Sequence, residues 1–206
     1  MRVRGPTPHR RAALLLLATA VHPRLLRAQA QPPSPAAALV AALVPAQSEI
    51  VFTTRQLGVP VEGRFGTFTL RIALDPKKPE SGQLSLAIDV ASARFGTAEL
   101  DGEVGKPAWL AAAKFPQAGF QSTAIRRAAG SGRFDVAGRL ALKGSTREIV
   151  VPVTLAQSGG QTTASGSFTL KRLDFLVGEG EWADTALMAN DVFVRFRLVI
   201  AGLGPL

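Results

Sequence analysis

From Ser48 to Ile200 apolar side chains recur at every second position, run after run, with turn-forming residues between the runs. A period of two puts alternate side chains on opposite faces of a strand, so the pattern demands sheet with one apolar face and excludes a helical bundle. Ile50, Phe52 and Thr54 share one face of the first run, and Phe68, Leu70, Ile72 and Leu74 share one face of Arg64–Leu74. Gln83–Val90 sets Leu84, Leu86, Ile88 and Val90 against Gln83, Ser85, Ala87 and Asp89. Gly119–Arg127 carries Phe120 and Ile125, and Arg133–Leu142 alternates through Phe134, Val136, Gly138, Leu140 and Leu142, with Gly138 placed for a bend or bulge. Ile149, Val151, Val153 and Leu155 follow, then Thr162–Leu170, and last Val192, Val194, Phe196, Leu198 and Ile200, the longest alternation of all. Asp75–Gly82, Ala128–Gly132, Lys143-Gly144-Ser145 and Ser158-Gly159-Gly160 supply the turns. The count is about eight strands, an all-β barrel or sandwich. Two segments break the period. Ala98–Phe115 reads as one or two short helices interrupted by Pro107, and Leu173–Asn190 as a long functional or lid-like loop.

Charge divides the chain in two. Of its 24 basic residues, six arginines and no acid precede Gln31, which leaves 18 basic against 15 acidic residues in the remainder. The basic start, the apolar stretch Ala12–Val21 and the small-x-small triplet Ala28-Gln29-Ala30 predict a secretory signal over 1–30, hence an exported, periplasmic protein. Arg10-Arg11 before the apolar run suits a twin-arginine route as well as the general one. Residues 31–47 form a Pro/Ala-rich linker, and the barrel domain is expected over 48–206. The chain has no cysteine, and its two histidines, His9 and His22, both fall in the leader. Zinc sites of nitrogen and sulfur ligands, Ser-His-Asp and Cys-His nucleophiles and histidine bases are therefore excluded from the exported part. The scattered basic residues and the aromatics on apolar strand faces argue against nucleic acid. Gly178-Glu179-Gly180 carries acid where a phosphate would sit.

An eight-stranded barrel is either filled by its own side chains or holds one ligand. The set Phe52, Phe68, Leu70, Ile72, Leu84, Leu86, Ile88, Phe120, Phe134, Val136, Leu140, Val194 and Phe196, with Trp109 and Trp182 from the irregular segments, would line an apolar tunnel with aromatic mouths. Arg55, Arg64 and Lys106 are the candidates for a polar head group at the mouth. A competing reading makes the Glu179, Glu181 and Asp184 cluster a pair of working carboxylates in a hydrolase. A third makes the barrel an interaction module for a membrane partner.

Several spaced pieces together carry a resemblance. Ser48-x-Ile50-x-Phe52-x-x-Arg55-x-Leu57-Gly58 with Gly63-x-Phe65-x-x-Phe68 resembles the opening of the YceI family of polyisoprenoid-binding proteins. Ile88-Asp89-Val90-Ala91-Ser92 and Phe115-Pro116-x-Ala118-x-Phe120-x-Ser122-Thr123 resemble its middle. Gly138-x-Leu140-x-Leu142-x-Gly144-x-Thr146, Pro152-Val153 and Arg172-x-Asp174-Phe175 resemble its later part. The likeness runs from about Pro45 to the C-terminus. It implies a lipocalin-like eight-stranded antiparallel barrel that is exported, often dimeric, and closed around a long isoprenoid or related lipid, with no catalysis and no cofactor beyond that lipid. The chain departs from the family where histidines are common: Val44-Pro45-Ala46-Gln47 and Leu100-Asp101-Gly102-Glu103-Val104-Gly105 have none. The Trp109-Leu110 pair and Gly178-x-Gly180-Glu181-Trp182-Ala183-Asp184 look like the branch associated with membrane cytochromes b561, which implies a quinone-like ligand and a membrane cytochrome as partner.

Overall fold

The structure is a computed structural model and describes residues 41–206. The leader expected at 1–30 and the linker as far as residue 40 lie outside the described residues. The strands are β1 (Ala42–Leu43), β2 (Glu49–Gln56), β3 (Val59–Phe65), β4 (Phe68–Ala73), β5 (Gln83–Asp89), β6 (Ala93–Arg94), β7 (Gln117–Arg127), β8 (Arg133–Leu142), β9 (Ser145–Ser158), β10 (Gln161–Lys171) and β11 (Asp191–Ala201). Every pairing is antiparallel, and the hydrogen-bonded order is β4-β5-β7-β8-β9-β10-β11-β2-β3-β6, with β1 also on β11.

That order describes eight staves, three of them interrupted. β1 and β2 are one stave broken by the turn at Pro45–Gln47, and both pair with β11 (Leu43 opposite Ile200, Ile50 opposite Phe196). β3 and β4 are a second, broken at Gly66-Thr67, and β5 and β6 a third, broken by the 3-10 turn Val90–Ser92. The second and third staves run side by side through their breaks: Phe68 faces Ile88, Asp89 N donates to Thr67 O, Gly66 N donates to Ser92 O, and Phe65 faces Ala93. Because β3 also pairs with β2, the sheet returns on itself as the lipocalin-like barrel that the family resemblance implies.

The breaks follow from side-chain parity. Phe65 and Phe68 both pack into the core although they are three apart, so strict alternation cannot continue through Gly66-Thr67. The expected single run Arg64–Leu74 is therefore two strands. The barrel also begins at Ala42 rather than Ser48, since β1 lies inside the stretch expected to be linker. Of the helices expected over 98–115, one seven-residue helix forms, α1 (Ala98–Val104), capped by Thr97, whose side chain accepts from Leu100 N at 3.4 Å. The chain then continues in turns to Phe115.

Two hairpins are made by residues that tolerate the left-handed region. Leu57-Gly58 (φ 48° and 80°) joins β2 to β3, and Lys143-Gly144 (φ 47° and 78°) joins β8 to β9; both have the two positive φ angles of a type I′ turn. These tips lie at one end of the barrel, the capped end, together with residues 90–116 and 172–190. The connections at 74–82, 128–132 and 159–160 close the other end.

Candidate functional site

Inside the barrel is a cavity of about 130 Å³, and every side chain that lines it is apolar. Its walls come from β2, β4, β5, β7, β8, β9, β10 and β11. Of the residues singled out by alternation, Leu70, Ile72, Leu84, Leu86, Ile88, Phe120, Phe134, Val136, Leu140, Val194 and Phe196 stand on this wall. Ile50, Leu74, Ile125, Val151, Val153, Leu155, Ala164, Phe168, Leu198 and Ile200 line it as well. Their signal was the same period of two; all but Ala164 and Phe168 were named on strand faces, though none was placed in the expected tunnel.

Glycine keeps the lumen open. Phe120 lies over Gly138 from the adjoining strand, and Phe196 over Gly166 directly opposite it. A Cβ on Gly138 would stand 2.5 Å from Gln121 O and collide with the Phe120 ring, so the ring occupies the place of the missing side chain. The register shift in β7 between Ser122 and Ala124 falls opposite this glycine, where a bend or bulge was expected.

The other residues of the expected tunnel lie off the wall. Phe52 packs on Phe65 (ring centroids 5.0 Å apart) and edge-on to Phe95 (5.3 Å), over Gly63, in an aromatic group of its own. Phe68 is buried in the core at the start of β4. Trp109 and Trp182 meet each other at 5.1 Å in the cap, where the buried Trp109 Nε1 has no acceptor. Arg55, Arg64 and Lys106 are exposed and do not converge. Arg55 Nη1 donates to Gly58 O at 3.1 Å, Arg64 sits opposite Val51 and Arg94, and Lys106 pairs with Glu103 at 2.5 Å.

Two buried cations, named in the sequence only as parts of a motif and a turn, build the cap. Arg172 is 2 % exposed, and among the described residues it has no carboxylate partner; its guanidinium donates there only to main-chain carbonyls. Nε reaches Ala189 O at 3.0 Å, Nη1 reaches Val177 O at 2.8 Å and Gly178 O at 3.2 Å, and Nη2 reaches Trp182 O at 2.6 Å and Met188 O at 2.7 Å. The five bonds gather the segment 172–190 around one side chain, and burial lowers the pKa of that guanidinium from its ordinary value. Lys143, at the β8–β9 tip, donates to Leu176 O at 2.5 Å and Ala108 O at 3.3 Å and pairs with Glu179 at 2.7 Å. It ties 172–190 to 98–115, with help from Gly178 N and Glu179 N, which both donate to Ala108 O. Of the three loop carboxylates, Glu179 is thus taken by Lys143, and Asp184 Oδ1 caps Ala186 N at 2.8 Å. Among the described residues there is no group of three or more His, Cys, Asp or Glu placed to hold a metal, and no helix long and apolar enough to cross a membrane.

Comparison with known proteins agrees with this geometry. The family model described as YceI-like domain matches residues 42–200, a span that begins where β1 does. A UPF0312 protein of Vibrio parahaemolyticus is 27 % identical over 165 residues, covering 77 % of this chain and 82 % of the relative. A UPF0312 protein of Pseudomonas savastanoi is 30 % identical over 132 residues, covering 61 % and 68 %. Among solved structures, BcnA of Burkholderia cenocepacia superposes with a TM-score of 0.73 at 38 % identity, over 76 % of this chain and 98 % of that one. A polyisoprenoid binding domain from Saccharophagus degradans, implicated in plant cell wall breakdown, shares the fold (TM-score 0.64, 19 % identity, 80 % and 99 % covered).

Proposed function

The chain belongs to the YceI-like family, and from that premise we propose that it holds a long isoprenoid-type lipid, a polyprenyl or quinone-like chain, in its barrel without chemically changing it. The observation that carries the reading is the cavity without a polar side chain on its wall. Such a wall has nothing to offer a proton, a nucleophile or an ion, and it favours hydrocarbon by about 0.8 kcal/mol for each CH₂ removed from water. The polar end of the ligand stays outside the lumen, because burying it unpaired would cost several times the gain from one methylene.

The proposal places this carrier in the periplasm, on the basic, apolar and small-x-small features of residues 1–30. A membrane cytochrome partner and a homodimer belong to the same proposal and rest on the resemblance of the 178–184 segment and of the family. A hydrolase at that segment has less support, since Glu179 and Asp184 are engaged in holding the cap. Purification from cells that export the protein, followed by solvent extraction and mass spectrometry, tests the carrier directly. A co-purified isoprenoid is expected; repeated recovery of empty protein from membranes rich in such lipids contradicts it. The Glu181→Gln variant should keep its lipid, and loss of a measurable hydrolytic activity in that variant would sink the non-catalytic reading.

A further inference from the structure

A closed barrel has to admit a long chain somewhere. At the capped end the Arg172 and Lys143 networks hold two segments over the lumen, and Leu110 is buried in the core with Val104 and Ala112 packed against it. At the other end Arg127 Nη2 donates to Pro76 O at 2.5 Å, and Gly82 sits against Leu74 and Ile125, where a Cβ would stand 2.6 and 3.2 Å from their side chains. The side wall is laddered all the way round except in two places. The β9–β10 ladder stops at Val153 and Gly166, and beyond it the turn Arg172–Phe175, with Phe175 buried, packs against β9. The second gap is at β4. β4 pairs with β5 on one side, while on its other side its neighbour is the two-residue β1, and no backbone hydrogen bond joins them among the described residues. β1 is held instead to β11, by its ladder and by Val44 N donating to Val199 O at 2.7 Å.

The inward residues Leu70 and Ile72 of β4 and Leu84 and Leu86 of β5 are part-buried, as Phe168, Val194 and Phe196 of β10 and β11 are, while Phe134 and Val136 of β8 are 2 % and 4 % exposed. Leu43 of β1, part-buried and packed on the core, is the apolar side chain that β1 brings to this seam. Parting β1 from β4 breaks no ladder hydrogen bond, while parting two strands joined by a ladder breaks several, each worth about 1 kcal/mol net.

We propose that the lipid chain enters sideways, through the seam between β1 and β4 with Leu43 as its gate, rather than through either end. This rests on the carrier reading above. It extends it by naming the ligand class: isoprenoid lipids whose polar end is too bulky to pass along the lumen and stays outside the seam while the tail slides in.

The absence of cysteine makes the test clean. Leu43→Cys is combined in turn with Leu70→Cys and with Ile72→Cys, and uptake of N-phenyl-1-naphthylamine and of a long polyprenol from detergent is timed in the oxidised and the reduced protein. The oxidised form should load about tenfold more slowly or worse, with full recovery on reduction, which also shows that the variant is folded. Leu43→Ala, needing no cross-link, should load faster than the parent chain. Equal loading rates in oxidised and reduced protein, or no acceleration in Leu43→Ala, overturn the seam while leaving the carrier reading intact. Failure of the parent chain to take up either probe overturns both.

Discussion

At the scale of single residues, Arg172 has the clearest consequences. Its five acceptors are all carbonyls, so no substitution can replace it piecemeal. Lysine lacks the planar fork and cannot serve acceptors from Val177 to Ala189 at once, and methionine leaves them unpaired. Arg172→Met should lower stability by about 3 kcal/mol or more, read from the urea midpoint, and should open 172–190 to proteolysis before the barrel unfolds. A variant with an unchanged midpoint would show that water replaces the guanidinium without loss. Leu57 lies at the opposite extreme. It is 69 % exposed with φ at 48°, a conformation that a leucine side chain resists and an asparagine accepts. Leu57→Asn should raise stability by about 0.5–1 kcal/mol with lipid uptake unchanged, and a fall in the melting temperature would contradict the turn assignment.

Among elements, the strands of the barrel wall were legible and their interruptions were not. Alternation is a repeated signal, and five or six residues of β5, β8 or β11 are enough to show it. β1 and β6 have two residues each, too few to express a period, so both went unread as strands. The break at Gly66-Thr67 was hidden because Arg64–Leu74 alternates well enough on both sides of it, with only the spacing of Phe65 and Phe68 out of phase. The two cap cations were missed for a different reason. A buried arginine and an exposed one look alike in sequence, and what distinguishes them is the loop folded over them. Gly138 was read from its place in an apolar run, and its test belongs at this scale too. Gly138→Ala must displace either the Gln121 backbone or the Phe120 ring, so it should cost about 1–3 kcal/mol in thermal or urea unfolding and narrow the cavity. If alanine is accommodated without cost, the ring is not held over the glycine as described.

For the whole molecule the decisive relation is between a closed, laddered wall and an apolar lumen. The cavity wall read from alternation is the same surface that the strands enclose, because one period of two sets both the fold and the lining. Head-group recognition was the least legible part: Arg55, Arg64 and Lys106 are spread over the outside, and the residues that line the lumen contribute no polar side chain. Affinity should therefore follow hydrocarbon length rather than head-group chemistry. The direct test is a titration of the protein with isoprenoid alcohols of increasing length. Binding is predicted to tighten by about 0.8 kcal/mol for each methylene taken up, until the lumen is full and the affinity levels off, whatever the polar end. Affinity that is indifferent to chain length, or that follows the head group instead, would contradict the account.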